Sequence, residues 1–166
     1  MESKIDLYWK QFIDALPAQS GPPPTYADSF YFGTRPEHAG PISQLVLDGI
    51  KTATGSLKWT YEAEGKPLPK RGDLSVVTDG YDHPVCIIET TDVRVIPFDE
   101  VGDEYAREGG EGDRSLAGWR QMYWDYIVSE CGRIGREPTE NPPLVMERFQ
   151  VVYSQRLRPD TGGDEA

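Results

Sequence analysis

A lysine and three hydroxyl residues lie close together between residues 49 and 56. Hydrolysis of an amide needs a nucleophile, a group that takes up its proton, and an acid for the leaving nitrogen. The Thr54 hydroxyl and the neighbouring Lys51 amine could supply the first two. Lysine and threonine are common residues, however, and a strand at the surface explains the same spacing more simply. The spacing alone therefore predicts no activity.

Two glutamates fall where strand patterns predict core residues. Strict alternation over 85–95 puts Glu89 on a face with valines and an isoleucine, and alternation over 145–153 does the same for Glu147. Burial raises the pKa of such a carboxyl toward the range useful for proton transfer. For Glu89, a buried ion pair or an outward-turning bulge is the alternative. For Glu147 a structural role is favoured, because nothing nucleophilic lies near it in the sequence.

A helix start is predicted at Asp113, Arg114 and Ser115. Asp113 or Ser115 is suited to cap the helix, and capping alone explains both residues. Free backbone N–H groups beside Arg114 could also bind a phosphate or a carbonyl oxygen.

Metal and disulfide chemistry have little support in the sequence. Cys86 and Cys131 lie far apart, and only His38 and His83 could add imidazole ligands. We therefore expect neither structural zinc nor a disulfide framework, and no cofactor.

The charge distribution bears on the partners. The net charge of −11 argues against tight, non-specific binding to DNA or long RNA. A small or locally bound substrate agrees better with this charge. Residues 50–72 nevertheless carry five basic against two acidic side chains, which is either a binding surface or a solvated loop.

The elements that position these residues can be read from periodicity. Helical patterns cover residues 3–16, a segment from Pro36 to Gly49, and residues 115–131. In the last of these, the aromatic stripe of Trp119, Tyr123 and Tyr126 is interpreted as core. Period-two patterns predict strands at 53–61, 74–78, 85–96 and 144–153. Strands without a repeating βαβ pattern indicate an α+β fold, with a curled mixed sheet or small β-barrel flanked by helices.

One domain is expected, with additions at its ends. Residues 1–25 are assigned to an N-terminal helix and a Pro-rich connection, 26–153 to the domain, and 154–166 to a disordered tail. The charged start is unlike a signal peptide, and no apolar run approaches the roughly 20 residues that cross a bilayer. We expect a cytoplasmic protein without a membrane partner.

Several motifs together resemble the ASCH domain family. Gly49-x-Lys51-x-x-Thr54 before a strand is similar to the family's Gly-x-Lys-x-x-Thr signature. The segments 31–33, 68–73, 84–90, 111–116 and 147–153 resemble one bacterial ASCH subfamily, so the similarity spans about residues 26–153. ASCH domains resemble PUA domains, which implies a small PUA-like β-barrel with a cleft that binds RNA or modified nucleosides.

The resemblance also implies site residues. Family members that remove acyl groups from N4-acylated cytidine use a Lys, a Thr and a Glu, which match Lys51, Thr54 and, by strand position, Glu89. Other members look like ribonucleases. Ser56 stands where many relatives have Arg, which removes one expected cationic contact to substrate.

The leading hypothesis is a metal-independent amidohydrolase acting on an N4-acylcytidine-like nucleoside. Lys51, Thr54 and Glu89 would be catalytic, and the substrate would be bound by Ser56, Lys58, Arg114 and Ser115. The rival hypotheses are a non-catalytic RNA or modified-nucleotide binding module and a ribonuclease. The sequence does not fix the acyl group or the oligomeric state.

Overall fold

The part of the chain that the structure describes folds around one five-stranded mixed sheet. A computed structural model describes residues 2–18, 20–139 and 141–155. The strands are β1 (Asp28–Phe30), β2 (Ala53–Leu57), β3 (Leu74–Thr78), β4 (Pro84–Pro97) and β5 (Pro143–Ser154). Their order is β1-β3-β4-β5-β2, with β1 parallel to β3 and all other neighbours antiparallel. The sheet curls into a half-barrel, which confirms the predicted α+β class with a curled mixed sheet.

In the described residues, five α-helices surround the sheet. They are α1 (Lys4–Ala15), α2 (Pro36–Leu47), α3 (Lys58–Glu64), α4 (Asp103–Gly109) and α5 (Leu116–Ile134). The three helices predicted from periodicity correspond to α1, α2 and α5. Among the described residues, no helix has the length and apolar character that a membrane crossing requires.

The predicted strand at 53–61 is shorter in the structure. Strand β2 ends at Leu57, whose partner Leu144 lies next to the first residue of β5. Beyond Leu57 the chain therefore has no further β5 backbone to pair with, and it turns into α3. That helix ends at Gly65, which takes the left-handed conformation (φ 65°) that glycine adopts without steric cost.

Helices pack on both faces of the sheet. Tyr8, Trp9 and Phe12 of α1 are buried against one face, where Ile87 of β4 belongs to the same apolar cluster. The aromatic stripe of α5 is core as predicted, because Trp119 and Tyr123 are buried in another cluster. The chain division at residues 25 and 153 stays a prediction, and residues 156–166 of the predicted tail lie outside the described residues.

Two tyrosines of α5 cover the edge strand β2. The backbone N–H of Gly55 donates to the Tyr123 hydroxyl at 3.1 Å, and the N–H of Leu57 donates to the Tyr126 hydroxyl at 3.0 Å. These bonds satisfy donors that an edge strand would otherwise leave unpaired. Helix α5 thereby fixes the strand that carries Thr54.

Candidate functional site

A large cavity opens beside the concave part of the sheet. Its volume is about 780 Å³, which lies within the range of small-molecule sites. Strands β1 to β5, helices α2, α3 and α5, and the loops after β1, α2, α3 and α4 contribute to its walls. The charged residues that line it are Asp28, Lys51, Glu64, Lys66, Lys70, Asp73, Glu111, Asp125 and Glu147.

Lys51 is a buried cation in the cavity wall. Its side chain is 1% exposed, and Nζ donates to Glu111 Oε2 at 3.0 Å. Nζ also donates to the carbonyl oxygens of Ala53 at 3.0 Å and Gly109 at 3.2 Å. Three acceptors thus match the three N–H donors of an ammonium group. The Glu111 side chain is 20% exposed, so its carboxylate is the accessible half of the ion pair.

The loop after α4 brings Glu111 to Lys51. The N–H of Thr52 donates to the carbonyl of Glu108 at 2.8 Å, which ties the end of α4 to the start of β2. Gly110 follows with φ +74°, and a Cβ placed there would lie 2.9 Å from both the Ile50 carbonyl oxygen and Lys51 Cα. Glycine is needed at this position both for the dihedral angle and for the close approach of the two backbones.

We expect Gly110→Ala to be strongly destabilising. Left-handed geometry costs a non-glycine residue about 1–2 kcal/mol, and the backbone clash adds about 1–3 kcal/mol. Gly112→Ala is the matched control, because Gly112 has φ +63° but open space around its Cβ position. Urea unfolding of both variants should show the larger loss for Gly110→Ala. Equal losses of unfolding free energy in the two variants would mean that the backbones of Gly110 and Lys51 are not in close contact.

Thr54 and Glu147 face each other across two strands. They are directly paired in the register of β2 and β5, and both line the cavity. Side chains paired in this way have Cβ atoms about 4.5–5.5 Å apart. Among the described residues, none forms a hydrogen bond with the Thr54 hydroxyl. The hydroxyl is therefore available to a molecule in the cavity.

Glu147 has an unusual environment for a carboxyl group. Burial raises its pKa to about 7, and the negative charges of Asp73 and Asp28 act in the same direction. A hydrogen bond from Thr90 Oγ1 to Glu147 Oε1, at 3.3 Å, opposes this shift. The structural role was favoured because nothing nucleophilic lies near Glu147 in the sequence, but the structure pairs it with Thr54 across the strands and gives its carboxyl a threonine as hydrogen-bond partner.

The basic neighbour of Glu147 in the chain has other partners. Arg148 bonds Glu108 through Nε at 2.7 Å and Asp92 through Nη1 at 3.3 Å. Its guanidinium also stacks on the Tyr105 ring, 4.4 Å from the centroid. Arg148 therefore leaves the Glu147 carboxyl without a cation from this side.

The structure does not bring Glu89 to the cavity with Lys51 and Thr54. Thr90 lines the cavity, and successive strand residues point to opposite faces. The register partner of Glu89 is Leu74, which packs against the cluster formed with α1. The Glu89 carboxylate accepts a hydrogen bond from Gln150 Nε2 at 3.0 Å. Glu89 thus lies on the α1 side of the sheet.

Of the four predicted substrate-binding residues, only Ser56 lines the cavity, and its hydroxyl lies 2.8 Å from the Tyr61 hydroxyl. Lys58 pairs with Glu62 at 2.8 Å. Arg114 donates from Nε to the Arg107 carbonyl at 2.9 Å, and Ser115 caps α5 by accepting from the Gly118 N–H. Lys58, Arg114 and Ser115 are outside the cavity lining, and the capping explanation for Ser115 accounts for its contacts.

A metal site has no obvious location in the described part of the chain. Over residues 2–18, 20–139 and 141–155, no three His, Cys, Asp or Glu side chains form a group that could hold a metal ion. The six carboxylates of the cavity wall are too dispersed for this purpose.

Comparison with known proteins places the chain in a family. The model of the ASCH domain matches residues 28–153. An ASCH domain structure from Lactobacillus crispatus JV V101 is 33% identical, with a TM-score of 0.80 and coverage of 92% of this chain and 96% of that one. A protein structure from Enterococcus faecalis V583 is 26% identical, with a TM-score of 0.78 and 98% coverage of both chains. The search of curated proteins found no match. The family model spans most of the chain, and the chain therefore belongs to the ASCH domain family.

Proposed function

We propose that this protein hydrolyses the acylated amino group of a pyrimidine nucleoside or a similar small amide. The observation that supports this proposal most directly is the buried Lys51–Glu111 ion pair in the wall of the cavity that Thr54 also lines. A hydroxyl, a cation and a carboxylate at one cavity are the groups that metal-independent amide hydrolysis requires.

Thr54 is the nucleophile in this proposal. Its Oγ1 forms a bond to the acyl carbon while its proton passes to the Glu111 carboxylate. The carbonyl oxygen becomes an oxyanion, and the positive charge of Lys51 in the cavity wall stabilises it. When the carbon–nitrogen bond breaks, Glu111 returns the proton to the leaving nitrogen. A water molecule then hydrolyses the acyl ester on Thr54 and releases the acid.

Glu111 takes two roles that sequence reasoning gave to other residues: acceptance of the Thr54 proton, assigned to Lys51, and protonation of the leaving nitrogen, for which Glu89 was the candidate. The Lys51 amine directs its donors to three acceptors, so in this arrangement it has no lone pair for the Thr54 proton. Glu111 is held by that amine and is partly exposed, so one carboxylate can be both oriented and reached by the substrate.

The charges of the cavity favour an uncharged substrate. Each lysine of the lining is paired with a lining carboxylate: Lys51 with Glu111, Lys66 with Glu64 and Lys70 with Asp73. Asp28, Asp125 and Glu147 add further acidic groups. A phosphate needs free basic groups or N–H donors, so this lining suits a nucleoside better than a nucleotide or an RNA strand.

RNA binding is the competing function, because it is often suggested for the PUA-like ASCH fold. We expect wild-type protein to convert N4-acetylcytidine to cytidine and acetate, with little dependence of KM on salt. The measurement is product release followed by chromatography at several NaCl concentrations. No turnover, together with RNA affinity that falls steeply with salt, would instead support an RNA-binding module.

A further inference from the structure

Glu147 has no part in the reaction proposed above, although its carboxyl lies in the same cavity. It is the register partner of Thr54 on β5, and Thr90 on β4 donates a hydrogen bond to it. Glu147 is half-buried and has no basic partner among the described residues. Such a carboxyl is costly to keep ionised, so it is expected to have a compensating function.

The groups that face Glu147 are polar or acidic. Asp28 comes from β1, Asp73 immediately precedes β3 and is paired with Lys70, and both raise the pKa of Glu147 by their charge. Burial raises the pKa of Tyr61 of α3, and the charge of the nearby Glu147 acts in the same direction. Because burial raises the pKa of Glu147 to about 7, its carboxyl is neutral in a large share of molecules at neutral pH.

A neutral carboxyl differs from a carboxylate in what it can recognise. It presents one O–H donor beside one carbonyl acceptor, whereas a carboxylate presents acceptors only. The donor–acceptor pair is complementary to a ring nitrogen next to an exocyclic N–H group. An acylated aminopyrimidine has this –N=C–NH– edge, and its acyl carbon is attached to the same exocyclic nitrogen.

We propose that Glu147, in its neutral form, recognises the –N=C–NH– edge of a heterocyclic base in the cavity. The inference rests on the proposed function, since it takes the ligand to be a pyrimidine nucleoside. Glu147 O–H donates to the ring nitrogen, and the carbonyl oxygen accepts from the exocyclic N–H. Because Thr54 lies directly across the strand pair, this contact holds the exocyclic nitrogen and its acyl group next to the nucleophile.

Calorimetric binding of cytidine between pH 6 and 8.5 tests this inference without any turnover. Binding to the neutral form raises the pKa of the carboxyl in the complex above that of the free protein. Between these two pKa values binding takes up a proton, so wild-type affinity should fall by up to about tenfold per pH unit as the free carboxyl ionises. Glu147→Gln keeps a donor beside an acceptor but cannot ionise. It should bind about as tightly as wild type at pH 6 and stay level to pH 8.5.

Two further binding measurements distinguish recognition of the base by Glu147 from an effect of Glu147 on the fold. Glu147→Ala should bind cytidine about tenfold or more weakly at pH 6, because both hydrogen bonds are lost. The analogue 3-deazacytidine, which has C–H in place of the ring nitrogen, should bind wild type and Glu147→Gln about tenfold more weakly than cytidine does. Glu147→Ala should not distinguish the two ligands. Melting curves establish that each variant is folded.

The inference and the proposed function fail in different ways. A wild-type protein that binds cytidine and 3-deazacytidine equally, or that binds neither, overturns the inference even if every variant misfolds. A Glu147→Gln protein that retains the wild-type pH slope also overturns it. Conversely, Glu147-dependent cytidine binding without hydrolysis of any acylcytidine would sustain the inference and reject the hydrolase.

Discussion

Thr54→Val is expected to abolish hydrolysis of N4-acetylcytidine while the protein stays folded. The substitution replaces the hydroxyl by a methyl group, so no nucleophile remains to form the acyl ester, and kcat should fall by at least about 10³-fold. Thr54 is only half-buried, and its hydroxyl bonds no other described residue, so stability should change by less than about 1 kcal/mol. Turnover by chromatography and urea unfolding measure the two effects.

Thr52→Val is the matched control for this variant. Thr52 is also half-buried and lies just before β2, but it is outside the cavity lining. Its backbone bonds to Glu108 and Phe149 do not depend on the side chain. The control should therefore keep kcat within about threefold of wild type. Residual activity of Thr54→Val near the wild-type level would remove Thr54 as nucleophile, whatever the control shows.

More of the fold than of the site could be predicted, because the spacing of apolar residues indicates which positions of a helix or strand are buried. The alternating patterns located β3, β4 and β5 to within about two residues, and apolar spacing located α1 and α2. Strand β1 and helix α4 were not predicted. The first has only three residues, and the second only seven, so neither offers enough periods for a pattern.

The cavity residues depend on contacts that sequence spacing does not show. For Lys51 and Thr54 a strand at the surface was the simpler explanation, but the chain folds α4 back over residues 50–52 and buries the Lys51 amine. Glu111 was given no role of its own and appeared only in the family-like segment 111–116. The signal that could have indicated its position is the pair Gly109-Gly110, which permits close approach of one backbone to another.

The two misplaced strand carboxylates show a further limit. Alternation correctly put Glu89 on the face of Ile87, but that face packs against α1, while the cavity lies on the other side. Alternation shows which residues share a face of a strand, but it does not show which of the two faces borders a cavity. Glu147 carries the same sequence signal as Glu89, and only the assembled sheet distinguishes them.

Lys51→Met should both abolish turnover and lower the free energy of unfolding by about 3–5 kcal/mol, because it leaves the other half of a largely buried ion pair unpaired. The carbonyls of Ala53 and Gly109 also lose their donor. Methionine is similar in length, so loss of packing contributes little. We therefore expect a folded but weakened protein, measured by urea unfolding together with the hydrolysis assay.

Adding Glu111→Gln to Lys51→Met separates electrostatics from packing. The second substitution removes the unpaired carboxylate, so the double variant should regain more than about 1 kcal/mol relative to Lys51→Met and remain inactive. Lys70→Met is the exposed control: the Lys70 side chain is 81% exposed in its pair with Asp73, and such pairs contribute little. If Lys51→Met were as stable as Lys70→Met, the ion pair would not hold Glu111. If it were also fully active, the proposed catalytic arrangement would be wrong.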